Sequence, residues 1–122
     1  MRKENIIADK SYKFAVRIVK AYLFLSKEQN EYTLSKQLLR SGTAIGALVS
    51  ESRFAQSAPD FINKLHIAIK EANETRYWIN LLRDTNFITQ TMYDSIFPDI
   101  EELISILSSI IKTSKIKNSG NF

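Results

Sequence analysis

The chain has 122 residues, of which 44% are apolar and 25% charged, with only three glycines, two prolines and a formal net charge of +4. This length corresponds to one domain with a sizeable core, and the scarcity of glycine and proline favours long helices over strands joined by turns. The absence of cysteine excludes disulfides and thiolate metal sites. The chain shows neither a long apolar run nor a signal-peptide pattern, so we expect a cytoplasmic protein.

The first predicted helix covers about residues 6 to 27. Its apolar side is wider than packing against one core requires. Its core stripe steps by four, four and three residues. The stripe consists of Phe14, Ile18, Tyr22 and Leu25. Further apolar residues widen it, which predicts a second contact surface such as another subunit. These residues are Tyr12, Val16, Val19 and Leu23.

The second predicted helix begins after a short connection, with the Thr33 hydroxyl as its N-cap, and runs to about Ala55. Within it, Gly42, Gly46 and Ser50 follow one another at four-residue spacing and therefore share one column. Glycine inside a helix costs about 1 kcal/mol relative to alanine. Two glycines one turn apart therefore predict a close approach of another helix at this column.

The third predicted helix has the clearest start in the chain. Ser57 can cap it, Pro59 suits the first turn, and Asp60 stands in the capping-box position. The helix is predicted to extend to about Asp84. Its core column consists of Phe61, Leu65, Ala68, Ala72, Ile79 and Leu82. A second apolar surface, which is either an interface or a contact within the bundle, consists of Ile67, Tyr77, Trp78 and Leu81.

The fourth predicted helix starts near Thr89 or Thr91, after Asn86 ends the third. Pro98 lies inside its pattern and lacks an N–H, which predicts a kink or a later start. The stripe of this helix consists of Ile96, Ile100, Leu103, Leu107 and Ile110.

Four amphipathic helices joined by short loops predict an all-α, up-down-up-down four-helix bundle. We assign residues 1–116 to this single domain and residues 117–122 to a flexible C-terminal tail. The surplus apolar faces on the first and third helices predict a homo-oligomer. Its predicted interface residues are Tyr12, Val19, Leu23, Ile67, Tyr77, Trp78 and Leu81.

The sequence predicts no catalytic residue, no metal site and no cofactor. The single histidine, His66, has no candidate nucleophile or orienting partner, and Asn63 stands where a di-iron bundle needs glutamate. Glu71 and Glu74 are better explained as a solvated or salt-bridged face than as an acid/base pair. We therefore expect a protein that is not an enzyme.

A basic edge on the first helix, extended by two residues of the second, is the feature that suggests a function. These side chains could bind the phosphates of RNA or DNA, with the salt sensitivity that such contacts produce. Alternatively, they solvate the helix edge or pair with the acidic run between Asp94 and Glu102, and taken alone the edge favours this second interpretation. The candidate nucleic-acid-binding residues are Lys10, Lys13, Arg17, Lys20, Lys36 and Arg40.

Two sequence blocks resemble the bacterial "four helix bundle protein" family over about residues 10 to 115. The blocks are Ser41-Gly42-Thr43-Ala44-Ile45-Gly46-Ala47 and Lys70-Glu71-Ala72 to Tyr77-Trp78. Some members are encoded in intervening sequences of large-subunit rRNA genes, and a related branch is the accessory variability protein of diversity-generating retroelements. The resemblance implies a bundle that assembles into a ring-like homopentamer. In the retroelement branch it also implies binding to a reverse transcriptase and to nucleic acid.

The combined prediction is a cytoplasmic, non-enzymatic homopentamer with a basic surface that binds RNA or DNA. The alternative is a protein–protein adaptor without nucleic-acid binding. In that case a reverse transcriptase or another protein docks on the ring or on the face around Trp78.

Overall fold

The computed structural model describes residues 3–120, and the side chains of residues 5–117, as an up-down-up-down arrangement of four helices. Helix α1 spans Lys3–Lys27, α2 Leu34–Ser52, α3 Ala58–Asp84 and α4 Gln90–Gly120. Successive helices pack on each other, and α1 closes the bundle against α4 more sparsely than it packs on α2. The described residues contain no strand. The predicted all-α, four-helix architecture is therefore confirmed.

The core stripes follow the apolar spacing of the sequence. On α1, Phe14, Ile18 and Leu25 are buried, whereas Tyr22 is half-buried. The core column of α3 is buried except for Phe61, which is half-buried near the start of the helix. Every stripe residue predicted for α4 is buried.

The start of α2 differs from the prediction. Thr33 occupies the N-cap position, but its hydroxyl makes no capping hydrogen bond. Instead, the Glu31 carboxylate accepts from the backbone N–H groups of Thr33, Leu34 and Ser35 at 3.2, 3.0 and 2.7 Å. Burial alone would raise the pKa of Glu31, but these hydrogen bonds outweigh it and hold the pKa below its ordinary value. The Thr33 cap is wrong because a charged acceptor two residues earlier satisfies the same donors.

The bounds of α3 and the start of α4 agree with the sequence pattern, whereas α2 ends at Ser52, three residues before the predicted Ala55. Ser57 Oγ accepts from the backbone N–H of Asp60 at 3.2 Å at the start of α3. Asn86, just beyond α3, has a φ of 66°, the left-handed conformation that commonly ends a helix. Thr89 Oγ1 accepts from the backbone N–H of Met92 at 3.1 Å and caps α4.

Helix α4 is not interrupted at Pro98, and it extends beyond residue 116, where the sequence predicted that a tail begins. It passes through Pro98 as one element, so the later start expected there is wrong. Pro98 removes one backbone hydrogen bond, but Ile96 and Ile100 on either side are buried in the core and hold the helix. Helix α4 continues to Gly120, because no glycine or second proline precedes that residue. Residues 117–120 of the predicted tail are thus helical, and residues 121–122 lie outside the described residues.

The glycine column of α2 lies against α1. A Cβ atom at Gly42 would lie 2.8 Å from two side-chain carbons of Ile18, which is fully buried. A Cβ atom at Gly46 would lie 3.2 Å from the carbonyl oxygen of Ser11. Ser50 was predicted to share this close packing, but its side chain is exposed. The reason is that each four-residue step along a helix rotates the column by about 40°, which turns Ser50 away from α1.

We expect Gly42→Ala to lower the free energy of unfolding by about 1–3 kcal/mol, because the added methyl group collides with Ile18. In an Ile18→Ala background the same substitution should instead stabilise the fold by up to about 1 kcal/mol, since alanine favours a helix over glycine. Chemical denaturation of the four proteins in this double-mutant cycle measures both effects. An equal loss of stability in both backgrounds would contradict the contact.

Candidate functional site

The basic edge of α1 is largely paired with acidic side chains. Lys10 Nζ lies 3.1 Å from a carboxylate oxygen of Glu102 on α4. Lys13 Nζ lies 3.0 Å from Asp9, one turn earlier on its own helix. These pairs are solvent-exposed, and exposed ion pairs of this kind contribute about 0–1 kcal/mol. They reduce the positive charge of the edge without removing the side chains from solvent.

Arg17 connects α1 to α4 through both branches of its guanidinium group. Nη1 donates to Asp99 Oδ2 at 2.6 Å and to the carbonyl oxygen of Ser95 at 3.0 Å. Nη2 donates to Ser95 Oγ at 2.7 Å. Three hydrogen bonds to one helical turn use the planar, forked geometry that distinguishes arginine from lysine. The structure therefore gives Arg17 a bridging position between two helices.

Arg40 is the most heavily paired of the candidate residues. Its guanidinium donates to Glu71 Oε2 at 2.9 Å and also to Glu74. Glu74 accepts a further hydrogen bond from Trp78 Nε1 at 3.0 Å. This bond and the Arg40 charge hold the pKa of Glu74 below its ordinary value. The Glu71–Glu74 pair thus binds a guanidinium group and links α2 to α3.

Lys20 and Lys36 are the two candidate residues that form no ion pair with another described residue. Both are exposed, Lys20 on α1 and Lys36 in the first turn of α2. The last residue of α1, Lys27, is exposed at the same end of the bundle and was not among the candidates. Residues 10–27 contain five basic residues and no acidic one, and this uneven charge is the signal that could have identified Lys27. Three cations without an ion pair to a described residue, Lys20, Lys27 and Lys36, thus lie toward the end of the bundle where α1 ends and α2 begins.

The wide apolar side of α1 is solvent-exposed in the single chain. Tyr12, Val16, Val19 and Leu23 are 71%, 39%, 41% and 41% exposed. Their spacing of four, three and four residues places them in one line along the helix. We call these four residues the α1 stripe. The structure brings the predicted interface residues Tyr12, Val19 and Leu23 together on this line with Val16, which the sequence places on the same widened side of the helix.

The predicted residues of α3 form a second and less exposed apolar surface, which we call the α3 patch. Ile67 and Tyr77 are exposed, whereas Trp78 and Leu81 are half-buried. The Tyr77 and Trp78 rings meet edge to face, with their centroids 5.0 Å apart. Trp78 also packs against the core, which agrees with its predicted burial within the bundle, whereas its role at an interface between copies stays a prediction. Phe54, an isolated aromatic residue in the turn after α2, is 83% exposed and was missed because it belongs to no helical stripe.

The described part of the chain shows no cluster of potential metal ligands. The single histidine, His66, is exposed on α3. Among the described helices, none is long and apolar enough to cross a membrane.

We expect Arg17→Met to destabilise the fold by about 1 kcal/mol, because it removes the three hydrogen bonds, one of them to a carboxylate, that join α1 to α4. Lys13→Met is the matched control and should change the free energy of unfolding by less than about 0.5 kcal/mol, since its pair is exposed within one helix. Urea denaturation of both variants measures the difference. Equal losses would contradict a bridging role for Arg17.

The family model described as 23S rRNA-intervening sequence protein matches residues 3–109. A similar solved structure is that of a protein of unknown function from the S23 ribosomal protein family of Bacteroides thetaiotaomicron. It is 57% identical in sequence, the alignment covers 91% of this chain and 99% of that one, and the TM-score is 0.90. No curated protein gives a match. The matched range includes α1, α2, α3 and most of α4, and the chain belongs to the 23S rRNA-intervening sequence protein family.

Proposed function

We propose that the protein is a non-enzymatic scaffold that assembles into a homo-oligomeric ring. We also propose that it binds RNA or DNA through the exposed cations Lys20, Lys27 and Lys36. The observation that carries the assembly is the α1 stripe. A continuous line of exposed apolar side chains on a small domain is typical of a protein interface. The basic residues Lys10 and Arg17 face α4 rather than the stripe, so a partner can cover the stripe without burying their charges.

The α1 stripe and the α3 patch together favour a head-to-tail contact between copies. Helices α1 and α3 lie diagonally across the bundle, since each of them packs on both α2 and α4. Two different surfaces on opposite corners suit a heterologous interface, in which the stripe of one copy meets the patch of the next. Such an interface closes into a ring when the rotation per copy divides a full turn. The family resemblance suggests five copies, and therefore a homopentamer.

The unpaired cations support nucleic-acid binding by the assembly. Lys20, Lys27 and Lys36 lie toward one end of the bundle, and a ring would repeat this group and the net charge of +4 in every subunit. Closely spaced cations bind a polyanion by displacing its counterions. The paired cations could add contacts by exchanging a surface carboxylate for a phosphate. Lys20 and Lys36 are nevertheless the two candidates that can contact a phosphate without first breaking an ion pair.

A protein adaptor is the second candidate function. Four of the six predicted phosphate contacts are already engaged with carboxylates: Lys10, Lys13, Arg17 and Arg40. In this case the exposed edge of the α3 patch binds a protein partner, such as a reverse transcriptase, and nucleic acid is not bound. The two candidates differ in whether polyanion binding is seen at low salt.

We expect the wild-type protein to have a mass several times the 14.0 kDa of one chain in light scattering, and five times that mass for the pentamer. The double variant Val19→Glu/Leu23→Glu should be monomeric, because it places two charges in the contact, with its helical circular dichroism retained. Ser105→Glu, which adds a charge to the exposed side of α4, is the control and should keep the wild-type mass. A wild-type mass of one chain would refute the assembly.

Lys20→Gln/Lys36→Gln should weaken binding of an RNA or DNA duplex and reduce the slope of log affinity against log salt by about 2, one unit for each phosphate that is no longer neutralised. The control Lys70→Gln/Lys112→Gln removes the same charge from other exposed positions and should leave the slope nearly unchanged. Gel shifts at several salt concentrations measure both variants. No shift by the wild-type protein even at low salt would exclude nucleic-acid binding and favour the adaptor.

A further inference from the structure

An apolar cleft opens between α1 and α4 at the end of the bundle that carries the α1–α2 and α3–α4 connections. Its volume is about 540 Å³. Its accessible apolar walls include Ala21, Phe24, Ile88 and Met92. Core side chains such as Leu25, Leu38 and Leu82, each at most 1% exposed, lie behind these walls. Clefts of this size, lined mainly by apolar groups with a few polar ones, are typical small-molecule sites.

Small side chains explain why the helices leave this space. On α1 the cleft is lined by Ala21, and on α4 by Thr91 and Ser95. At the edge of the cleft, Arg17 reaches across to Ser95 and spans the gap between the two helices with its long side chain. Ile88, in the connection between α3 and α4, also lines the cleft, so two helices and a connection bound the space together.

The charged side chains that line the cleft are all of one sign. The charged residues that line it are Arg17 and Lys20, and no carboxylate lines it. Arg17 is held by Asp99 and Ser95, so its charge is largely balanced. Lys20 is exposed and forms no ion pair with a described residue, so its ammonium group can contact a bound anion at the opening. The hydroxyl groups of Thr91 and Ser95 add polar groups beside it.

We propose that this cleft binds an amphipathic carboxylate, with an aliphatic chain against the apolar walls and the carboxylate at Lys20. An extended apolar lining with one available cation at the opening favours a chain with a single anionic head group over a neutral hydrocarbon. The α1 stripe lies on a different side of α1, so the site does not depend on assembly of the ring.

Decanoate, kept below its micelle concentration, is a suitable probe for calorimetry with the full chain. We expect saturable binding of one decanoate per chain and at least about tenfold weaker binding of decylammonium, which has the same chain and the opposite charge. Lys20→Glu should reverse this preference. Lys36→Glu makes the same charge change at an exposed position outside the cleft, and should leave the preference intact.

A second variant tests the position of the aliphatic chain. Ala21→Phe fills the cleft between α1 and α4 and should abolish decanoate binding, with thermal melting used to show that the variant is folded. Three results would overturn the proposal: no saturable binding of decanoate to the wild-type protein, equal affinity for the two head groups, or wild-type decanoate affinity in Lys20→Glu. Unchanged decanoate affinity in folded Ala21→Phe would place the ligand elsewhere and overturn it as well.

Discussion

The contact between Gly42 and Ile18 is the constraint on which the rest of the structure depends. Because Gly42 has no side chain, Ile18 lies directly against the backbone of α2. The same close approach continues at Gly46, where the neighbour is the backbone of Ser11. Helix α1 is thereby held close to α2, while long side chains such as Arg17 bridge its wider separation from α4. Close packing on one side of α1 and a bridged gap on the other create the cleft.

The ionic side chains serve mainly to connect neighbouring helices. Arg17 joins α1 to α4, Arg40 joins α2 to α3, and Arg76 joins α3 to α4 through Glu101, with an N–O distance of 2.8 Å. Each pair is at least partly exposed and contributes little free energy by itself. Such pairs can exchange partners at little cost, so their presence does not remove these cations from contact with a polyanion. However, each paired cation must give up its carboxylate first, so it contributes less to the binding of a polyanion than Lys20 does.

Local signals in the sequence predict the helices, whereas the candidate site depends on which helices become neighbours. Ser57 caps α3 as its spacing predicts, but Glu31 replaces the Thr33 hydroxyl at the start of α2 because a charged acceptor lies within reach. The sequence places Arg17 and Lys20 on one edge of α1, and only the fold shows that Arg17 alone of these two pairs with α4. Likewise, no residue pattern predicts the cleft, since it results from small side chains on two helices that are distant in sequence.

Helix α1 presents three different surfaces, and their separation follows from the 100° rotation per residue of an α-helix. One side carries Ile18 against α2, a second carries Arg17 against α4, and the third carries the exposed α1 stripe. A residue such as Val19 can therefore contact another subunit while Ala21, two positions along, lines the cleft. Because one helix holds both surfaces on a rigid backbone, occupancy of the cleft and assembly of the ring can occur in the same molecule. Coupling between them would have to pass through α1 itself, whose position the Gly42 contact fixes.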